Sequence, residues 1–420
     1  MPLQLATITF STCRALRIIA IVWVFFDAPA KAAEIHLELP KTRLAVGDLA
    51  VVVNDADPMS AAIAEYYREQ RGIPHENILH VRFASNGPSL PRNTFKQIRE
   101  SVIKQTAPNI QAYALAWTRP YRVDCMSITS AFAFGFDEAF CSSSQCAATK
   151  SSAYFDSASH APYTDYGIRP AMLLAGKTLV EVKRMIDRGV ESDYSYPDRT
   201  GYLLNTENHS RSVRTVFFDY TLKKIGQAFH LERMDTESIQ GKQDVLFYFT
   251  GGQWIKDLPS LHFVPGAIAD HLTSFGGDLD GGEQMSSLRW LEAGATGSFG
   301  TVVEPCNHVQ KFPIPPVVIW HYAEGDTLIE AYWKSVAWPG EGLFIGEPLA
   351  HPFAPSLTDA NQEQATLKIY SPSTKQVQLE ESESPIGPYR TVANYSVAPG
   401  LNRIKIQLPE KNFYHRIKLE

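Results

Sequence analysis

From residue 49 the chain sets solid apolar runs against stretches whose apolar positions recur every three or four residues. "LAVVVNDADPMSAAIAEYYREQRGIP" reads as a buried strand followed by a helix. Asp57 can cap the first turn, Pro58 takes the first helical position, and Gly72 with Pro74 ends it. "ILHVRF" predicts a second strand, "NTFKQIRESVIKQ" a helix with Phe95, Ile98 and Val102 on one side, and "AYALAW" a third strand. Residues 119–165, rich in Ser, Ala and aromatics, read as a long excursion over the sheet edge without chemistry of its own. The pattern resumes at "TLVEVKRMIDRG", where Thr178 and Glu181 form a capping box and Gly189 is expected to close the helix. "GYLLN", "DVLFYFTGG", "LHFVPGAIADH" and "ATGSFGTVV" follow as apolar runs, with helices in "VRTVFFDYTLKKIGQAF" and "EQMSSLRWLEAG". "TLIEAYWKSVAWPGEGLFIGEPLAHPF" adds a last helix and a short strand. Strands alternating with helices predict an α/β domain over residues 34–352, its parallel sheet covered on both faces.

At Ala365 the period becomes two. "ATLKIYS", "KQVQLEE", "YRTVANYSV", "NRIKIQL" and "YHRIKLE" are short alternating strands separated by turn residues, which predicts a small β-sandwich over 365–420. Residues 353–364 then serve as a linker.

The start of the chain has a different character. Arg14 and Arg17 precede "IIAIVWVFF" and "APAKAA" follows, with Ala30 and Ala32 in an A-x-A arrangement, so residues 1–33 read as a secretory signal. No later run has the length of a membrane helix, and the mature protein is expected in the periplasm or outside the cell. Export changes the meaning of the cysteines. Cys13 leaves with the signal, and among Cys125, Cys141, Cys146 and Cys306 the cluster of three suggests a disulfide-tied loop whose pairing stays open. A net charge of -6 with no long basic tract argues against nucleic acid as a partner.

In open α/β sheets, ligands gather where strands end. Three strand ends carry reactive or permissive groups: Gly251 and Gly252 with Trp254; Asp270 and His271 running into Ser274; and Glu304, Cys306 and Asn307. Cys306 with His271, oriented by Asp270 or Glu304, would make a thiol nucleophile and its base. Asp270, His271 and Glu304 could instead hold a metal, although no ligand spacing supports one. The bland readings are a turn-bound His271, a buried or disulfide-bonded Cys306 and a Trp254 in the core. "GGDLDGGE" offers Asp278, Asp280 and Glu283 but lacks calcium-loop spacing and reads as a solvated turn. No zinc spacing, phosphate-binding glycine loop or GxSxG elbow occurs, so no metal and no cofactor are expected.

The order of elements over about residues 45–352 resembles the gingipain-type cysteine peptidases of the caspase-like superfamily. "VVVND…AAIAEYYREQRGIP" is similar to their opening strand and helix, and "GATGSFGTV…FIGEPLAHP" to their closing strand and corner. In that family two adjacent strands end in "YxGHG" and "AC". Here "YFTGG" sets Gly252 where the histidine belongs, and "IADH" sets Ala269 or Asp270 where the cysteine belongs. The signature "DHLTSFGG…GATGS.GTVVEPCN…EAYW.SV.WP" also resembles a family of exported bacterial proteins to which no activity is assigned. The resemblance implies a caspase-like αβα fold without its usual dyad. The leading expectation is an exported protein that binds a peptide or glycan at the strand-end cleft. A cysteine hydrolase with a relocated Cys306–His271 pair is the first alternative and a metal-assisted hydrolase the second. Each places Asp270, His271, Glu304 and Cys306 around one pocket beside the Gly251–Gly252 turn.

Overall fold

A computed structural model describes residues 36–419 apart from 86, 143–145, 362 and 409–412; the segment read as a secretory signal lies outside the described residues. Ten strands form one sheet: β1 (Leu49–Asn54), β2 (Ile78–Val81), β3 (Ala112–Leu115), β4 (Ala171–Leu173), β5 (Thr200–Asn205), β6 (His230–Asp235), β7 (Val245–Gly251), β8 (Phe263–Leu272), β9 (Gly297–Thr301) and β10 (Gly342–Gly346). Their order is β2-β1-β3-β4-β10-β9-β8-β7-β5-β6. The sheet is mixed, not parallel as expected. β9 and β10 pair antiparallel from Gly297–Gly346 to Thr301–Gly342. The chain reaches β10 through helices Pro315–Ala323 and Leu328–Lys334, and no periodicity in a short buried strand records its direction.

Local signals place the helices well. The first, α1 (Pro58–Arg71), starts where Met59 N donates to Asp57 Oδ1 at 2.9 Å and stops at Gly72, whose φ is +64°. The second, α2 (Arg92–Gln105), buries Phe95, Ile98 and Val102. The third that matters here, Leu179–Ser192, begins with the Thr178–Glu181 capping box but continues past Gly189. Gly189 lies inside the helix because a Cβ there would stand 2.5 Å from Glu347 Cγ. Glu347 in turn accepts from Tyr67 Oη at 2.6 Å and pairs with Arg71, so the helix interior needs a residue without a side chain.

Helices cover the two faces in separate groups. α1, Leu179–Ser192 and Leu288–Ala293 pack along one another, while Phe218–Ile225, Pro315–Ala323 and Leu328–Lys334 form the other group. The excursion over 119–165 contains a short hairpin, Arg122–Val123 with Met126–Ser127, and a buried helix, Ile128–Phe134, so part of it is core.

The C-terminal strands form a smaller β region with its own apolar centre of Leu367, Ile369, Val377, Leu379, Val397, Ile406 and Ile417. One of its sheets takes His36–Glu38 as a strand parallel to Tyr414–Leu419, and the other takes Ser356–Thr358 from the segment read as linker. The ring of Tyr370 lies against Phe229 and Phe353 at centroid distances of 5.0 and 4.7 Å, and its hydroxyl donates to Ala228 O. Lys375 pairs with Glu324 at 2.7 Å.

Candidate functional site at the strand ends

Successive residues of a strand face opposite sides of a sheet, and this separates the two groups singled out in β8. Asp270 turns toward the face covered by Pro315–Ala323. There Arg214 Nη1 donates to Asp270 Oδ1 at 2.5 Å and to Pro313 O at 3.3 Å, while Nη2 donates to Thr250 O at 2.7 Å. Both side chains are buried. Burial pushes the Asp270 carboxyl upward and the Arg214 guanidinium opposes that shift. The pair pins the segment Val213–Phe217 beneath the ends of β7 and β8.

His271 turns the other way, toward Leu288–Ala293. The indole of Trp290 donates to Nδ1 at 2.9 Å, and Nε2 lies 3.1 Å from Met285 O. An indole N–H can only donate, so Nδ1 is the acceptor and Nε2 carries the proton. The ring is neutral with both nitrogens engaged, and burial pushes its pKa down to about 3. It has no free lone pair for a thiol.

The chain beyond His271 reaches solvent. Leu272, Thr273 and Ser274, with Ser210, Arg211, Glu304, Cys306 and Asn307, line a depression of about 250 Å³. Of the residues expected to share one pocket, Glu304 and Cys306 do so, together with Ser274 and Asn307. Asp270 and His271 are outside the lining because their side chains are buried on opposite faces of the sheet. Glu304 Oε1 accepts from the backbone N–H of Cys306 at 2.8 Å. Cys306 is bonded to Cys146, and Cys125 to Cys141, so Cys306 offers no thiol in this state.

The scaffold itself packs closely on the glycine turn. A Cβ on Gly251 would lie 2.0 Å from Arg211 O, so the backbone that approaches it is the protein's own. Gly252 N donates to Leu272 O at 3.2 Å, tying the end of β7 to that of β8. Trp254 is 58% exposed and not core. Its Nε1 donates to Glu283 O at 2.9 Å, which anchors the ring edge and leaves a broad indole surface in solvent. Phe275, 40% exposed, follows on the same rim, where Gln284 Oε1 accepts from Thr273 Oγ1 at 2.7 Å and from Phe275 N at 2.9 Å.

A second depression went unread in the sequence. The chain runs from β1 through α1 to β2 on one side, then through α2 to β3 on the other, and ligands of open sheets sit at such reversals. A crevice of about 380 Å³ lies there, lined by Asp57, Trp117, Thr118, Arg119, Lys177 and Asp280 among others. Asp280 pairs with Arg119, and Asp278 Oδ1 accepts from Tyr121 Oη at 2.7 Å, so the acidic turn clasps the excursion. The strand-helix-strand-helix-strand order was the signal that could have located this crevice.

The acidic groups proposed for a metal are not brought together, since Asp270, His271 and Glu304 occupy three environments. Among the described residues one His/carboxylate cluster has ligand-like spacing: His160 Nδ1 lies 3.2 Å from Asp326 Oδ1 and 3.0 Å from Glu330 Oε1. Lys334 Nζ, 2.7 Å from Asp326 Oδ2, already meets part of its charge. Among the described residues no helix is long and apolar enough to cross a membrane. Comparison with family models, curated proteins and solved structures finds no match.

Proposed function

We propose that the chain is an exported, gingipain-like protein that binds a polar ligand, peptide or glycan, along the strand-end surface and does not cleave it. The observation that carries this reading is the state of His271. Its two nitrogens are committed to Trp290 and Met285, so the thiol-hydrolase alternative has no base, while Cys306 is held in a disulfide. The metal-assisted alternative loses support from the salt bridge that occupies Asp270. Export is favoured by the two disulfides, which persist in oxidising compartments.

Of the two ligand classes, the exposed indole of Trp254 favours a saccharide. A sugar ring presents C–H groups that pack on an aromatic face, while Arg211, Glu304 and Asn307 of the 250 Å³ depression supply hydrogen-bonding groups for hydroxyls. Titration of intrinsic fluorescence with oligosaccharide and peptide panels, paired with mass analysis of the ligand, tests this. A saturable signal lost in Trp254→Ala, with the ligand mass unchanged, is expected. Turnover of any ligand that vanishes in Glu304→Gln or His271→Gln would overturn it.

A further inference from the structure

The two disulfides occupy contrasting environments. Cys125 and Cys141 are 4% and 6% exposed and sit in the main core. Cys146 is exposed, and Cys306 is half-buried in the lining of the 250 Å³ depression. Sequence separation, 16 residues against 160, makes the second bridge the greater constraint on an unfolded chain. In the folded protein a different quantity governs its opening, namely whether a thiolate can reach a sulfur along the S–S axis and whether the departing thiolate is stabilised. Of the two bridges, Cys146–Cys306 is the one whose residues reach solvent. Arg211, its Nε bonded to Thr273 Oγ1 at 3.2 Å, lines the same depression and is the cation available to a departing thiolate there, against the opposing carboxylate of Glu304 in that lining. Cys306 also holds a left-handed backbone with φ +56°, a conformation costly for a residue with a side chain, and Glu304 accepts from its N–H.

We propose that this depression is a thiol–disulfide exchange site, with the Cys146–Cys306 bridge as its reactive centre and a small anionic thiol or cysteinyl peptide as its co-substrate. The incoming thiolate attacks the sulfur of Cys146, the more exposed cysteine of the bridge. The bond between Cys146 and Cys306 breaks as a mixed disulfide with Cys146 forms, and the electron pair leaves on Cys306 as a thiolate in the depression that Arg211 also lines. A second thiol then attacks the mixed disulfide and leaves with the first as their own disulfide. Two thiols are oxidised, the protein bridge is reduced by two electrons, and the two protons of the thiols end on Cys146 and Cys306 or in solvent. A carboxylate on the incoming thiol pairs with Arg211. The chemistry needs no histidine base and is independent of saccharide binding. Its consequence is mechanical, because the bridge is the covalent tie between the excursion and the segment after β9.

The test uses the full, folded protein without denaturant. It is exposed to reduced glutathione, an anionic cysteinyl tripeptide, or to cysteamine, a cationic thiol, with rates normalised to thiolate concentration. Peptide mapping after acid quench should find the mixed disulfide on Cys146, formed at least about tenfold faster than Cys125–Cys141 opens. Glutathione should react about fivefold faster than cysteamine, and that preference should fall toward one at high salt and in Arg211→Gln. The salt series on the wild type gives the answer even where the variant folds poorly. Equal opening of both bridges, adducts on Cys125 or Cys141, or a preference indifferent to salt would each overturn the proposal.

Discussion

Replacing His271 by Gln, followed across pH, separates a structural imidazole from a catalytic one. Gln carries an acceptor and a donor, but its open-chain amide does not hold them at the ring positions that meet Trp290 and Met285; losing one of the two bonds leaves an orphaned buried polar group, which costs roughly 1–3 kcal/mol. At about pH 7.5 the variant should thus be about 2 kcal/mol less stable than the wild type. Acid adds a second signature. Burial holds the folded-state pKa of His271 at about 3, whereas an unfolded histidine titrates near 6.5. Between these values the unfolded chain binds more protons than the folded one, so stability falls as pH is lowered from neutrality. At about pH 5 the unfolded side chain has gained about 2 kcal/mol from protonation and the folded one almost nothing. The variant is spared that loss, and its deficit relative to the wild type should close to near zero. His351, also pushed down to about 3 by burial, contributes equally to both proteins and cancels in the difference. Urea unfolding at the two pH values with the disulfides intact gives both numbers. A deficit that stays constant between pH 7.5 and 5 would mean that the imidazole titrates normally in the folded protein, and the buried, doubly engaged histidine would be refuted.

Three further outcomes follow from the same structure. Asp270→Ala leaves Arg214 charged and buried without its partner, so denaturant unfolding should register a loss of about 3–5 kcal/mol, most of it recovered when Arg214→Met is added. Tyr370→Ala removes the ring packed on Phe229 and Phe353 and should cost about 3 kcal/mol by the same assay; a loss under about 0.5 would mean that this aromatic contact between the small β region and the α/β sheet contributes little. Burial opposes charging of His160, but its bonds to Asp326 and Glu330 prevail and lift it to about 9. Its stabilisation is complete below about pH 6.5 and is lost as pH rises through 9, so His160→Gln should flatten the alkaline decline in melting temperature.

What the sequence makes legible is what is decided locally. The Asp57–Pro58 start and Gly72 stop of α1, the Thr178–Glu181 box and the alternation after Ala365 are all read within a few residues of where they act. What escapes is decided at a distance. Gly189 resembles a helix stop until Glu347, 158 residues later in the chain, is pressed against it. β6, "HLERMD", is an edge strand with no fully buried residue and partial burial at Leu231, Glu232 and Met234, and carries too weak an apolar signal to be seen. Asp270 and His271 are adjacent in sequence and chemically suited to act together, yet the alternation of β8 sends them to opposite faces. The partner of Cys306 lies across an interval of 160 residues that no spacing rule covers. Which side chains reach a strand end depends on register.

The most direct measurement of the central claim is the intact mass of the unreduced protein after treatment with an electrophilic thiol probe at neutral pH. With Cys306 bonded to Cys146 and His271 bonded to Trp290 and Met285, the mass should not change. A single adduct on Cys306, formed rapidly without reductant and absent from His271→Gln, would mean that a working thiol–imidazole pair exists and would contradict the account.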